Sequence, residues 1–286
     1  MEWWLNFSMV DIDRLIPLAK AAEAAGFAGV SIGDHLVFPR EMSSPYPYSA
    51  DGRVKWRPED PWPDPWVSIA AMATATTTLR FTTGVFILPL RHPVELAKSL
   101  GTAARLSGER VIGGFGAGWM REEFDLVGEA FERRGARMDE MIEVLRKLWT
   151  GEMVDHHGEF YDLPGVQMSP PPRRQVPIYI GGHNEAALRR AVRCDGWIGV
   201  HSSFEVTEPL VAKVRQMRES AGGGPFTLML NAFRTTAGDR ARFAELGFDA
   251  VVLPALGLAP GRTLDEQLDG LARAAADLGL GRARAS

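Results

Sequence analysis

The chain has 286 residues, 45% of them apolar and 24% charged, enough to bury a sizeable core, which excludes the disordered and fibrous classes. Lysines and arginines number 32 against 36 acids, a net charge of -4, so no basic field is present to hold a polyphosphate backbone and nucleic acid is not an expected partner. Cys194 is the one cysteine, so neither a disulfide within the chain nor a cysteine zinc site can form, and the hydrophobic core must carry the fold.

Short apolar, β-branched or aromatic runs alternate with stretches whose apolar residues recur at helical spacing. The runs predict strands at 2–8, 28–33, 80–88, 110–116, 177–182, 195–200, 226–233 and 248–255. Helices are predicted at 12–25, 66–76, 93–106, 137–149, 185–193, 206–220, 239–246 and 264–278. The first has Asp11 as N-cap, Leu15, Leu18, Ala19 and Ala22 on one stripe, and Gly26 at its stop, while Pro93 suits a first helical turn. Strands separated each time by a helix run parallel, and eight of them can close into a ring. No GxGxxG opens the first strand-to-helix turn, so the reading is α/β, a (β/α)8 TIM barrel spanning 1–286 as one domain, in preference to a doubly wound open sheet. No apolar run reaches the length of a membrane span and no basic run precedes a long apolar stretch at the start, so a cytoplasmic, unprocessed chain is expected.

Barrel enzymes place their chemistry on loops that follow strand C-termini, which sorts every loop by face. The loop at 34–64 is far longer than usual, holds Tyr46, Tyr48, Trp56 and Trp62, and is stiffened by seven prolines from Pro39 to Pro65, so an ordered lid over the mouth is expected. The loop at 117–136 is the second long one on that face. The segment 151–175 follows a helix and belongs to the opposite face, so its His156 and His157 are not site candidates, and a small hairpin is expected there; the tail 280–286 is expected to fray.

Four constellations sit on the functional face. Asp34 and His35 end the second strand, where they could share a proton or orient a substrate; alternatively Asp34 caps a turn and His35 packs under the lid. GGFGAGW, residues 113–119, offers backbone that a flat ring or a phosphate can approach, or else a tight barrel corner covered by Trp119. Gly181, Gly182, His183 and Asn184 open a helix, and two adjacent glycines exceed what a cap requires, which favours an anion over a plain turn with Asn184 as N-cap. Arg91 and His92 leave the third strand near the mouth, with His92 more readily explained by the proline turn, and His201 follows the sixth. No metal-ligand spacing and no GxSxG elbow occurs, so metal and hydrolytic mechanisms fall away.

The blocks GFAGVSIGDHLVFP, TTGVFILPLRHPVELAKSLGTAARLSGERVIGGFGAGWMREEF, RMDEMIEVLRKLW and PIYIGGHNEAALRRA resemble the bacterial luciferase-like superfamily, in its F420-dependent oxidoreductase branch, over nearly the whole chain. The resemblance implies a barrel that binds coenzyme F420, or FMN, in its mouth. It assigns Asp34 and His35 to the reactive ring, Ile87 and Leu88 to a bulged strand end behind it that often holds a non-prolyl cis peptide, Gly116, Ala117 and Gly118 to the cofactor, and Gly181 and Gly182 to its phosphate. Sugar-phosphate dehydrogenase relatives carry an acid where Trp119 stands, so that activity is not transferred; flavin monooxygenase relatives commonly have an arginine where Ala117 stands, which tilts the reading toward F420. The expected reaction is hydride transfer between F420 and a small organic substrate. His35 would handle the proton, Asp34 would fix its tautomer or charge, and Trp119 with Trp56 or Trp62 would shape an apolar pocket that Arg91 and His201 adjoin. The alternatives are an FMN-dependent monooxygenase served by a separate cofactor reductase, and a barrel that binds flavin without turnover; a homodimer is expected by family analogy.

Overall fold

The structure, a computed structural model, describes residues 1–49, 51–233 and 235–280. In chain order the strands are β1 (Glu2–Asn6), β2 (Gly29–Ile32), β3 (Arg80–Thr83), β4 (Phe86–Ile87), β5 (Val111–Gly116), β6 (Met153–His157), β7 (Asp162–Gln167), β8 (Ile178–Gly181), β9 (Gly196–His201), β10 (Thr227–Ala232) and β11 (Ala250–Pro254). The α-helices are α1 (Leu15–Ala24), α2 (Pro65–Thr74), α3 (Pro93–Leu106), α4 (Arg121–Val127), α5 (Arg134–Leu148), α6 (Glu185–Ala191), α7 (Phe204–Ser220), α8 (Ala237–Glu245), α9 (Ala255–Leu258) and α10 (Leu264–Asp277).

The parallel pairings run β1–β2, β2–β3, β3–β5, β5–β8, β8–β9, β9–β10 and β10–β11, and β1 pairs with β11 to shut the ring. Closure joins the first and last strands of the parallel sheet, and every barrel strand delivers its C-terminal end to one mouth. The predicted third strand is two pieces: it breaks at Gly84 and Val85, which are joined by a cis peptide, and resumes as β4 against Phe115 and Gly116. An isolated glycine within a strand run is a bulge signal, and here it marks the interruption.

The pleat divides the side chains with period two. Trp4, Ile112, Tyr179, Ile198, Met229 and Val252 fill the inside of the barrel as a cluster of their own. Leu5, Val30, Ile32, Phe81, Trp197 and Leu230 face outward into the larger core under the helices. Outer packing uses the stripe read on α1, where Leu15, Leu18, Ala19 and Ala22 are buried. The chain enters α1 through a 3-10 turn at Ile12–Arg14 that Asp11 caps, its side chain accepting from the Asp13 N–H.

Between β2 and α2 no regular element forms among the described residues, and the predicted hairpin is β6–β7 within 151–175. Glu140 on α5 pins that hairpin by accepting from the backbone N–H groups of Glu159, Phe160 and Tyr161, and it lies 3.1 Å from His156 Nε2. His156 is thereby tied to the helix layer. Sequence patterning missed the short helices α4 and α9, and the expectation for the tail concerns residues 281–286, outside the described ones. No helix among the described residues is long and apolar enough to cross a membrane, and no group of three or more metal-ligating side chains occurs among them.

Candidate active site

Asp34 follows β2 into the mouth with its side chain almost wholly buried. Both of its oxygens are taken by Arg91, which donates from Nη1 at 2.6 Å and Nη2 at 2.7 Å, and Oδ2 also accepts the Ile87 N–H at 2.9 Å. Burial pushes the Asp34 carboxyl up from its ordinary value, while the charge of Arg91 and the hydrogen bonds pull it down. This corrects the expected partnership: Asp34 does not orient His35. Nor does Arg91 stand free in the substrate pocket, because its guanidinium is held by Asp34 and lies 4.2 Å above the Phe86 ring.

His35 has another carboxylate. Glu123, fully buried on α4, accepts the Leu36 N–H at 2.6 Å with Oε1 and sets Oε2 at 3.2 Å from His35 Nδ1. That geometry suits an Nδ1–H donating to Glu123 and leaves Nε2 for exchange with a bound molecule. Glu123 was missed because 117–136 read as a loop. The available signal was the run WMREEF followed by Gly128, which has φ +73° and stops α4 at its C-terminus.

The 34–64 segment brings aromatic rings over this imidazole. Trp62 packs edge-on at 4.8 Å between centroids, Trp56 lies at 5.0 Å, and Trp119 from the β5–α4 turn lies at 6.0 Å. Tyr46 joins Trp56 to Trp119 with 5.3 Å to each, and burial pushes its hydroxyl up to about 12, so it remains a phenol. The His35 side chain is only 9% exposed beneath these rings. The indole N–H of Trp62 is buried without a partner, a cost of roughly 1–3 kcal/mol that an acceptor on a bound molecule would offset.

The segment is fastened by the residue beside Glu123. Glu122 Oε1 accepts the Ser43 N–H at 2.6 Å, the Ser43 hydroxyl at 2.8 Å and the Ser44 N–H at 3.1 Å. Burial raises this carboxyl, but its hydrogen bonds outweigh that and hold it at about 2, below the ordinary 4.5. A carboxyl depressed in the folded state adds stability above its unfolded pKa and loses it as pH falls toward the folded one, so the fastening weakens between 4.5 and about 2. Glu122→Ala should lower hydrogen-exchange protection of the Ser43 and Ser44 amides about tenfold at neutral pH, as loss of hydrogen bonds to a charged acceptor predicts. Unchanged protection would show that the segment is held by its aromatic packing alone.

The mouth also holds a residue that the sequence reading did not single out. A β-carbon built on Gly116 would lie 2.5 Å from Val85 Cγ2, and one on Gly181 would lie 2.6 Å from Val85 Cγ1. Val85 therefore projects into the mouth between these two glycines, and their lack of a side chain is what admits it. Ile87 and Leu88, expected as the bulge, are instead 4% and 0% exposed and pack into the core, and the interruption lies at Gly84–Val85. Ala117 packs against the main core, and Gly118, at φ +83°, accepts from Arg134 Nε at 2.9 Å.

At the start of α6, Asn184 is the N-cap, its Oδ1 accepting the Ala187 N–H at 2.9 Å. His183 Nε2 accepts the Val200 N–H at 3.0 Å, and burial lowers its pKa, so the ring is a neutral acceptor. Gly182 accepts the Trp197 indole N–H at 2.8 Å. His183 lies 5.4 Å from Tyr48, which lies 5.7 Å from Tyr46, so aromatic contacts join this turn to the Trp56 and His35 side of the same rim.

His201 is not in the mouth. Its ring packs between Phe204 and Phe243 at 4.8 and 4.9 Å, with Nδ1 at 2.9 Å from Thr207 Oγ1, on the helix side of β9. The pleat explains it: Ile198 points into the barrel, so Trp197, Gly199 and His201 point out. His92 likewise serves locally, capping α3 through Nδ1. Cys194 is buried, with its thiol pushed up to about 11, which leaves it a poor nucleophile.

The chain shares this framework with known proteins. Residues 6–255 match the family model described as luciferase-like monooxygenase. The uncharacterized protein Rv0940c of Mycobacterium tuberculosis is 44% identical over 215 residues, covering 75% of each chain. An F420-dependent hydroxymycolic acid dehydrogenase of the same organism is 29% identical over 86% of this chain and 62% of its own. Among solved structures, an F420-dependent secondary alcohol dehydrogenase in complex with an F420-acetone adduct superposes with a TM-score of 0.74 at 17% identity, over 95% of this chain and 96% of the other. At that identity the likeness speaks for the fold.

Proposed function

The chain belongs to the luciferase-like monooxygenase family, and from that premise we propose that it is an F420-dependent oxidoreductase acting on a neutral, largely apolar organic substrate. The observation that carries the reading is the His35–Glu123 couple: an imidazole held through Nδ1 by a buried carboxylate, roofed by indoles, at the C-terminal end of a closed parallel barrel. The residues present fit a flat redox ring. Val85 offers an apolar buttress between Gly116 and Gly181, and the barrel side chains Ser31 and Asn231 hold buried polar atoms with no partner. F420, when bound, supplies a two-electron hydride carrier.

The protein supplies the rest. His35 Nε2 gives or takes the proton on the substrate, Glu123 keeps Nδ1–H in place, and the Asp34–Arg91 pair braces the Ile87 backbone beside the bulge. Trp56, Trp62 and Trp119 exclude water and select flat apolar molecules. Because His35 is covered in the described state, the 34–64 segment acts as a lid that parts to admit substrate. The Gly181–Gly182 turn is the proposed seat of the cofactor phosphate. F420-dependent relatives support the choice of F420, as does Ala117 in place of an arginine.

Parallel fluorescence titrations with F420 and FMN test this. Binding of F420 at micromolar or lower concentration with FMN at least tenfold weaker is the expected result. The reverse order would overturn the F420 assignment in favour of the flavin monooxygenase reading, in which reduced FMN comes from a separate reductase. Retention of either dye with no turnover under any reductant or acceptor would mark a binding barrel.

A further inference from the structure

Inside the barrel, the tier above the apolar floor contains an uncommitted pair of polar side chains. Ser31 is 1% exposed and Asn231 8%, and neither Ser31 Oγ nor Asn231 Oδ1 has a hydrogen-bond partner. Both face the barrel interior, since Val30 and Ile32 on β2 and Leu228 and Leu230 on β10 take the outward positions. They converge on one spot: a β-carbon built on Gly84 would lie 2.4 Å from Ser31 Oγ and 3.7 Å from both Nδ2 and Oδ1 of Asn231. Gly84 precedes Val85, so this spot adjoins the buttress at the mouth. Buried groups left unpaired in a low-dielectric interior are costly, and such orphans mark places where an absent partner belongs.

We infer that Ser31 and Asn231 together receive an imide edge, an N–H flanked by carbonyls. A carboxamide presents an acceptor beside a donor and matches the N–H and one carbonyl of an imide, while the Ser31 hydroxyl donates to a carbonyl. Neither group is charged, which suits a neutral heterocycle. The pyrimidinedione edge common to deazaflavin and flavin rings has this pattern, so the inference rests on the proposed cofactor reading and assigns the end of the ring that enters the barrel.

The two roles of the pair give effects of opposite sign. Ser31→Ala removes an orphaned hydroxyl, so the free protein should melt about 1–3 °C higher, yet it should bind the 8-hydroxy-5-deazaflavin chromophore and FMN several-fold more weakly. Asn231→Ala should weaken binding about tenfold. Methylating the ring at N3 should weaken binding to the wild type about tenfold but change binding to Asn231→Ala less than twofold, because that variant has already lost the contact. Dye binding in Ser31→Ala and Asn231→Ala equal to wild type, with N3 methylation equally harmful in all three, would overturn the inference and leave an ordered water as the occupant. Absence of binding of either dye to the wild type would overturn the cofactor reading and this inference together. Should Asn231→Ala not fold, the Ser31→Ala pair of measurements decides alone.

Discussion

Replacing His35 by alanine is expected to lower kcat by about 10²- to 10⁴-fold, the range over which a positioned acid or base contributes, while the cofactor Kd changes less than threefold. The split follows from the geometry. His35 touches indoles and Glu123, whereas the cofactor is proposed to rest on Val85 and the Gly181–Gly182 turn, which are none of the contacts His35 makes. Glu123→Gln tests the positioning role. Its amide can still accept the Leu36 N–H but no longer places a charged acceptor at Nδ1, so kcat should fall about tenfold or more with KM little changed. Glu123→Asp, which keeps the charge but shortens the reach, should lie between. Single-turnover kinetics with preloaded cofactor separate these effects from binding. Equal losses in kcat and cofactor affinity for His35→Ala would reduce His35 to a binding residue.

Arg91→Ala should destabilise the fold by about 3–5 kcal/mol, since it strands a buried carboxylate that loses its two-pronged partner. For a chain of this size that corresponds to a fall in Tm of roughly 10 °C. The pH dependence carries a sign that surface charge loss would not. With Arg91 gone, burial acts on Asp34 almost unopposed and raises its folded-state pKa further above the unfolded value. The folded variant then prefers the protonated acid, so its deficit is full at neutral pH and shrinks as pH falls toward 3.8. The double replacement Asp34→Leu with Arg91→Met should recover most of the stability, because no charge remains buried. Thermal or urea unfolding of the three variants against pH measures all of this. A deficit in Arg91→Ala below 1 kcal/mol, flat with pH, would show the pair to be exposed in solution.

The barrel was legible because its signals are local. Each strand run carries its apolar alternation, each helix its stripe, and the alternation itself forces parallel closure. The site was legible to the level of which loops meet. Asp34, His35, Trp56, Trp62 and Trp119 do converge, because strand ends of a closed ring must. Pairing was less legible. Adjacency in sequence joined Asp34 to His35, but consecutive residues on extended chain diverge, and each found its partner through the fold, in Arg91 57 positions away and Glu123 88 away. Two misplacements had readable signals. The parity of Ile198 and Val200 against His201 puts that histidine on the helix side, and Gly84 within a strand run marks the interruption that Ile87 and Leu88 were assigned.

The central proposal is that a flat redox ring binds in the mouth in contact with both Val85 and His35, and a crystal structure of the protein soaked with F420 tests it most directly. The account predicts the deazaflavin ring against the Val85 side chain, with His35 facing it and the Trp56 and Trp62 rings displaced or stacked over the ligand. A ring bound at the β6–β7 face, or one in the mouth that touches neither Val85 nor His35, would contradict it.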